Sequence, residues 1–276
     1  MNVSDIISLH RPLDFDYVTN RAIAIVTIVV MAGGAVFQFL SGGGWGESTL
    51  WGARAGLSVF LTWALCRELD PDHAFSAFVA AGLALAGLFF WGPPRLGVIL
   101  WLIAVMRVVN RTTGAPAGLL DSLGVLGLGS WLSLRVNWGY GVITALAFLL
   151  DSQLPQRARR QLVPAFLGVI ATGIAAIVGR KLAWEGPPSV VGGLIGLALS
   201  ALFLPVVLSA RHLTSVGDRS QQRLEPNRVQ AAQILALLTG VETAILGGMD
   251  AIGALVPLWA AVLGASITWL YLVVRR

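Results

Sequence analysis

Charge is what this sequence has least of. Only 12% of its 276 residues are charged, about half the ~25% of an ordinary soluble domain. Meanwhile 56% are apolar, and mean hydropathy is +0.78. A soluble fold of this size needs a charged exterior, so lipid must supply much of the outer contact. Cysteine is almost absent as well. Cys66 stands alone, which excludes an intrachain disulfide framework and a Cys-based metal cluster. It reads as a small hydrophobe within a helix. Established catalytic signatures are missing: there is no H-E-x-x-H, no P-loop and no serine elbow. The net charge of +5 does not point to nucleic acid, because the basic residues sit in short connections between apolar runs, as membrane topology requires. No cleavable signal is expected either. The first apolar run, Ala22 to Leu40, is long for a signal core and lacks an A-x-A exit.

What is present is a series of apolar runs. Crossing the hydrocarbon takes about 20 residues of helix, fewer where flanking side chains snorkel or the bilayer thins. Ten runs come close enough, near 22–40, 50–66, 74–91, 95–109, 117–134, 136–150, 162–179, 190–210, 229–246 and 251–274. The expected fold is therefore all-α, a polytopic transmembrane helical bundle of about ten spans. The chain divides into a cytoplasmic interfacial segment (1–21), an eight-span membrane core (22–210), a cytoplasmic loop (211–228) and a final two-span hairpin (229–276).

Basic residues orient the spans, since loops kept in the cytoplasm carry the excess of Lys and Arg. With the N-terminus inside, fourteen fall on the cytoplasmic side: Arg11, Arg21, Arg67, Arg107, Arg111, Arg157, Arg159, Arg160, Arg211, Arg219, Arg223, Arg228, Arg275 and Arg276. Four fall outside, Arg95, Arg135, Arg180 and Lys181, and Arg54 lies within the second span. Trp45, Trp51, Trp91, Trp131, Trp138 and Trp184 all fall near the outer interface, as an aromatic belt would. Reading Leu123 to Leu150 as one broken span would leave seven basic residues inside and ten outside, so two spans with a turn near Arg135, Asn137 and Gly139 are expected. Both termini are then cytoplasmic, and the location expected is the plasma (inner) membrane.

Smaller features mark the connections. Val3, Ile6, Ile7 and Leu9 before Pro12 suggest a short interfacial helix. Pro93–Pro94 and Pro187–Pro188 punctuate outer turns. The polar stretch Arg211 to Arg228 is expected to be a mobile loop. A faint repeat at a spacing of 40 aligns Arg67 with Arg107 and Asp70 with Asn110, and a related pattern recurs at Leu149-Leu150-Asp151-Ser152.

Three groups of residues could carry chemistry. Glu68, Asp70, Asp72 and His73, beside Arg67 in the cytoplasmic turn between the second and third spans, have the oxygen and imidazole donors that would hold Mg2+ or another hard cation. A solvated turn, with Asp72 capping the next helix, is the alternative. Arg107, Asn110 and Arg111, with Thr112 and Thr113, suit an anionic head group. Asp121, read as lying inside the fifth span, and Glu242, in the ninth, are intramembrane carboxylates. Such groups are costly and face a cavity, a partner or a proton path. Their structural alternatives are pairing of Asp121 with Arg107 or Arg111, and of Glu242 with Arg54. Spans four to six are short and glycine-rich, as substrate-site spans or closely packed helices are, and Gly192 with Gly196 forms a G-x-x-x-G packing pattern.

These features leave three functions open. The first is a small-solute or lipid transporter, with Asp121 as coupling carboxylate, Glu242 gating nearer the outside, and two five-span halves, 22–135 and 136–274, of opposite topology. The second is a membrane-embedded enzyme acting on a phosphorylated lipid at the cytoplasmic face. The third is a structural or assembly subunit without catalysis. The lipid bilayer is the one partner implied, beside a small-molecule or lipid substrate. The motifs of intramembrane aromatic prenyltransferases (N-x-x-x-D-x-x-x-D) and CDP-alcohol phosphotransferases (D-G-x-x-A-R) are absent. In size and span count the chain is similar to drug and metabolite transporters, a likeness that no motif carries.

Overall fold

The computed structural model of the chain describes residues 8–11, 13–178, 189–218 and 220–275. Within them are ten α-helices: α1 (Val18–Leu40), α2 (Trp45–Leu69), α3 (Ala74–Trp91), α4 (Leu96–Asn110), α5 (Leu119–Arg135), α6 (Gly139–Gln153), α7 (Leu162–Val178), α8 (Val190–Ser209), α9 (Pro226–Ala254) and α10 (Val256–Val274). Among the described residues there is no strand, only an isolated antiparallel bridge between Val216 and Arg223. The N-terminal interfacial helix on Val3, Ile6 and Ile7, the Pro187–Pro188 turn, and Arg180, Lys181, Trp184, Arg219 and Arg276 lie outside the described residues.

Six of the helices are long and apolar enough to cross a membrane: α1, α3, α7, α8, α9 and α10. Their outward faces carry large apolar side chains, such as Ile25, Ile28 and Val29 on α1 and Val163, Phe166, Val169 and Ile177 on α7. Apolar surface continued over so many helices exceeds what water-soluble monomers expose; it is the make-up of an integral membrane protein. The other helices are shorter or more polar. At 15 residues each, α4 and α6 extend about 22 Å, less than the ~30 Å hydrocarbon core. In α2, Glu47, Arg54, Arg67 and Glu68 interrupt the apolar run.

The chain forms two compact units. One holds α1, α2, α3 and α10; the other holds α4 from Trp101, α5 to α8, and α9 through Ala251, together with the N-terminal segment up to Arg11. These units do not coincide with the halves 22–135 and 136–274 expected of an inverted pair.

In the first unit, small residues let backbones approach. Gly52 and Gly56, one turn apart on α2, face α1, and a Cβ on Gly56 would sit 2.7 Å from the Thr27 carbonyl oxygen. On α10, Gly264 rests against Ala80 of α3. Cys66 is a free, buried thiol with Ser76 Oγ and the Ala261 carbonyl each 3.6 Å away. Arg54 is satisfied within this unit, its Nη2 donating to the carbonyls of Pro93 (3.0 Å) and Pro94 (3.4 Å). The second unit uses glycine opposite hydroxyl groups. Gly129 faces Thr144, and Gly141 faces Ser133 and Thr172. Trp101 Nε1 donates to Thr144 Oγ1 at 3.0 Å and meets the Tyr140 ring edge to face, 5.0 Å between centroids.

Candidate functional site

The two carboxylates read from the sequence as intramembrane, Asp121 and Glu242, stand in different surroundings. Asp121 lies within the helix, in its first turn, and is a capping residue, a purpose that the sequence did not show. The helix α5 starts at Leu119 with Gly118 as N-cap, and Asp121 occupies the third helical position of a capping box. Its Oδ2 accepts the Gly118 N–H and the Ser8 N–H, both at 2.9 Å, and the Ser8 hydroxyl lies against the same oxygen. Such a cap satisfies backbone donors that the first helical turn leaves open. Arg107 serves the same N-terminal segment through Nη1 to the Leu9 carbonyl, 3.1 Å. Arg11 pairs with Asp218 at 2.7 Å.

Arg111 is engaged elsewhere. It ends α4 with φ +54°, the left-handed region that normally takes glycine past a helix C-terminus. Its Nε donates to Asp151 Oδ1 at 2.9 Å and its Nη1 to the Gln156 carbonyl at 2.8 Å. Arg228, from the first turn of α9, donates to the same Asp151 oxygen at 2.7 Å and to the carbonyls of Val109 (2.9 Å) and Pro155 (2.8 Å). All three side chains are buried. One carboxylate thus holds two guanidiniums and ties the ends of α4 and α6 to the start of α9. Asn110 Oδ1 accepts the Thr112 N–H at 3.2 Å, which shapes the turn. Sequence reasoning missed this cluster. The available signal was that Asp151 is the only acidic residue between Asp121 and Glu185, in a stretch rich in arginine.

The acidic turn belongs to the other unit. Asp70 caps the end of α2, and its Oδ1 meets His73 Nδ1 at 2.8 Å. His73, not Asp72, is the N-cap residue of α3. Glu68 is fully buried, and Arg67 and Asp72 also take part in the protein's own polar contacts. Among the described residues no three His, Cys, Asp or Glu side chains group as a metal site.

Glu242 is a carboxylate with one buried oxygen left open. It sits about 24 Å along α9 from Pro226. Its Oε2 accepts the Thr243 hydroxyl at 3.3 Å, while Oε1 is buried and, among the described residues, has no hydrogen-bond partner. The carboxylate packs directly on Gly139, the first residue of α6, where a methyl group would run into it. The Gly139 N–H is taken by Asn137 Oδ1 at 2.9 Å, so the positive end of the α6 dipole is the local field that favours the anion. Six residues on, α9 is broken: Gly248 has φ +61° and ψ −144° within an otherwise helical stretch. Ser189, the N-cap of α8, donates its N–H to the Ile245 carbonyl at 2.9 Å just before the break. A backbone carbonyl near an interruption is thereby satisfied inside the protein, as membrane depth requires.

Comparison with protein-family models, with curated proteins and with solved structures finds no match.

Proposed function

We propose that this chain is a membrane transporter in which Glu242 is the proton- or cation-binding carboxylate. The observation that carries the reading is the buried Oε1 of Glu242, without a partner among the described residues, on a helix interrupted at Gly248. A carboxylate inside the hydrocarbon is expensive, and where no ion pair compensates it, proton or ion binding is the default use. Interrupted helices supply such sites in transporters because they expose oriented backbone groups beside the ligand. Asp121, with its cap complete, leaves this role to Glu242.

The chain has ten spans in this reading, with both termini cytoplasmic in the plasma membrane, supported by the fourteen-to-four division of basic residues and the outer tryptophans. The short helices α4, α5 and α6 cross with flanking support from their neighbours. The substrate that moves with the ion is a small solute or lipid. The alternative enzyme reading draws on the acidic turn and the Arg107–Arg111 group, and both are occupied with the protein's own hydrogen bonds.

A hydrophobic carbodiimide tests the carboxylate without knowledge of the substrate, since it modifies protonated carboxyls in apolar surroundings. Peptide mapping should place the adduct on Glu242, labelling should fall as pH rises, and Glu242→Gln should abolish it. Labelling confined to other acidic residues would defeat the proposal.

A further inference from the structure

The connection between α8 and α9, expected from sequence to be loose, is folded. After the 3-10 turn Ala210–His212, its two arms pair: the Gly217 N–H donates to the Gln222 carbonyl at 2.9 Å and the Leu224 N–H to the Ser215 carbonyl at 3.0 Å. Leu213 and Leu224 are buried with Ala210 and Val229 in a small apolar core beneath. The Asp218 N–H donates to the Thr112 carbonyl at 3.1 Å, and Arg11 clamps the Asp218 carboxylate.

Over that floor lies a cavity of about 400 Å3 bounded by Arg211, His212, Arg223, Glu225 and Pro226. Arg211 and Arg223 are exposed, and among the described residues their guanidiniums have no hydrogen-bond or ion-pair partner. The single acid, Glu225, accepts the Asn227 amide at 3.2 Å. Two permanent cations against one carboxylate leave the cavity positive. It opens where α8 ends and α9 begins, which is where a spanning helix meets head groups. The last turns of α8 expose Leu204 and Leu208, four apart on one helix face, to the surroundings.

We propose that this pocket binds the phosphate of an anionic phospholipid. The planar fork of arginine matches phosphate oxygens in charge and spacing, and a membrane-embedded chain has such lipids at hand on this level. The proposal is independent of transport through Glu242 and requires only that the chain lie in a bilayer.

The test is native mass spectrometry of the full chain released from nanodiscs of phosphatidylglycerol and phosphatidylcholine in equal parts. The wild type should retain phosphatidylglycerol in preference to phosphatidylcholine. Each arginine near the surface contributes about 5-fold, so Arg211→Gln/Arg223→Gln should lower retention roughly 30-fold. Because both side chains are exposed, the variant should elute as the wild type does. Arg157→Gln/Arg159→Gln removes two other exposed cations outside the pocket and should lower retention much less, and excess inorganic phosphate should not displace the lipid. Equal retention of both lipids, or an equal loss in the control variant, would overturn the pocket. Displacement by inorganic phosphate would assign it to a free anion and overturn the lipid proposal.

Discussion

Replacing Asp151 by asparagine should be among the most damaging single changes in the chain. One oxygen of Asp151 takes the Arg111 Nε at 2.9 Å and the Arg228 Nη1 at 2.7 Å. The arginine side chains are 7% and 1% exposed, and the aspartate is wholly buried. Asn keeps the shape and removes the negative charge that both guanidiniums share, so two buried cations repel each other with no anion between them. Breaking a buried pair in this way costs about 3–5 kcal/mol, which in a chain of this size lowers the melting temperature by about 10 °C. Arg111→Gln provides the contrast, since it leaves Asp151 and Arg228 as a neutral pair and relieves no other charge. It should cost clearly less than Asp151→Asn, although the left-handed backbone at residue 111 remains. Melting of detergent-solubilised protein, followed by size-exclusion fluorescence, measures both. A shift of less than about 2 °C for Asp151→Asn would refute the view that this carboxylate holds the ends of α4, α6 and α9 together.

Asp121→Asn should cost only about 1 kcal/mol, the usual value of a helix cap, and should free the N-terminal segment for proteolysis near Ser8; unchanged digestion would count against the cap. Gly139→Ala should displace the Glu242 carboxylate and slow its carbodiimide labelling while expression is retained, and normal labelling would show that the close packing is unimportant. Gly114→Ala combines a left-handed backbone, φ +89°, with a Cβ 2.7 Å from the Ser220 N, so it should cost more than 1 kcal/mol of stability, read by the same melting assay. On a Cys66→Ser background, a cysteine at exposed position 220 should react only from the cytoplasmic side; reaction from outside in sealed cells would defeat the proposed topology.

The helices themselves were legible because each is a long apolar run. The expected span 74–91 coincides with α3, and 162–179 and 190–210 match α7 and α8 within a residue. The turn near Asn137 also appears, before α6 begins at Gly139. The polar contacts were not legible, because they join positions far apart in the chain. Ser8, which adds its donors to the Asp121 cap, lies 113 residues away, and Arg228 reaches Asp151 across 77. No local pattern encodes such pairs. In the sequence Arg228 is one more topological charge, and the acidic turn stands out because its residues are adjacent. The break at Gly248 was hidden for another reason: Gly247 and Gly248 in an apolar helix look like packing glycines until the backbone angles are seen.

The most direct measurement of the central claim is ion movement through the purified chain in proteoliposomes carrying a lumenal pH dye, with proton, Na+ and K+ gradients imposed in turn and candidate solutes added. The account predicts a gradient-driven flux that Glu242→Gln abolishes and Asp121→Asn largely preserves. Flux that is unchanged in Glu242→Gln would contradict it.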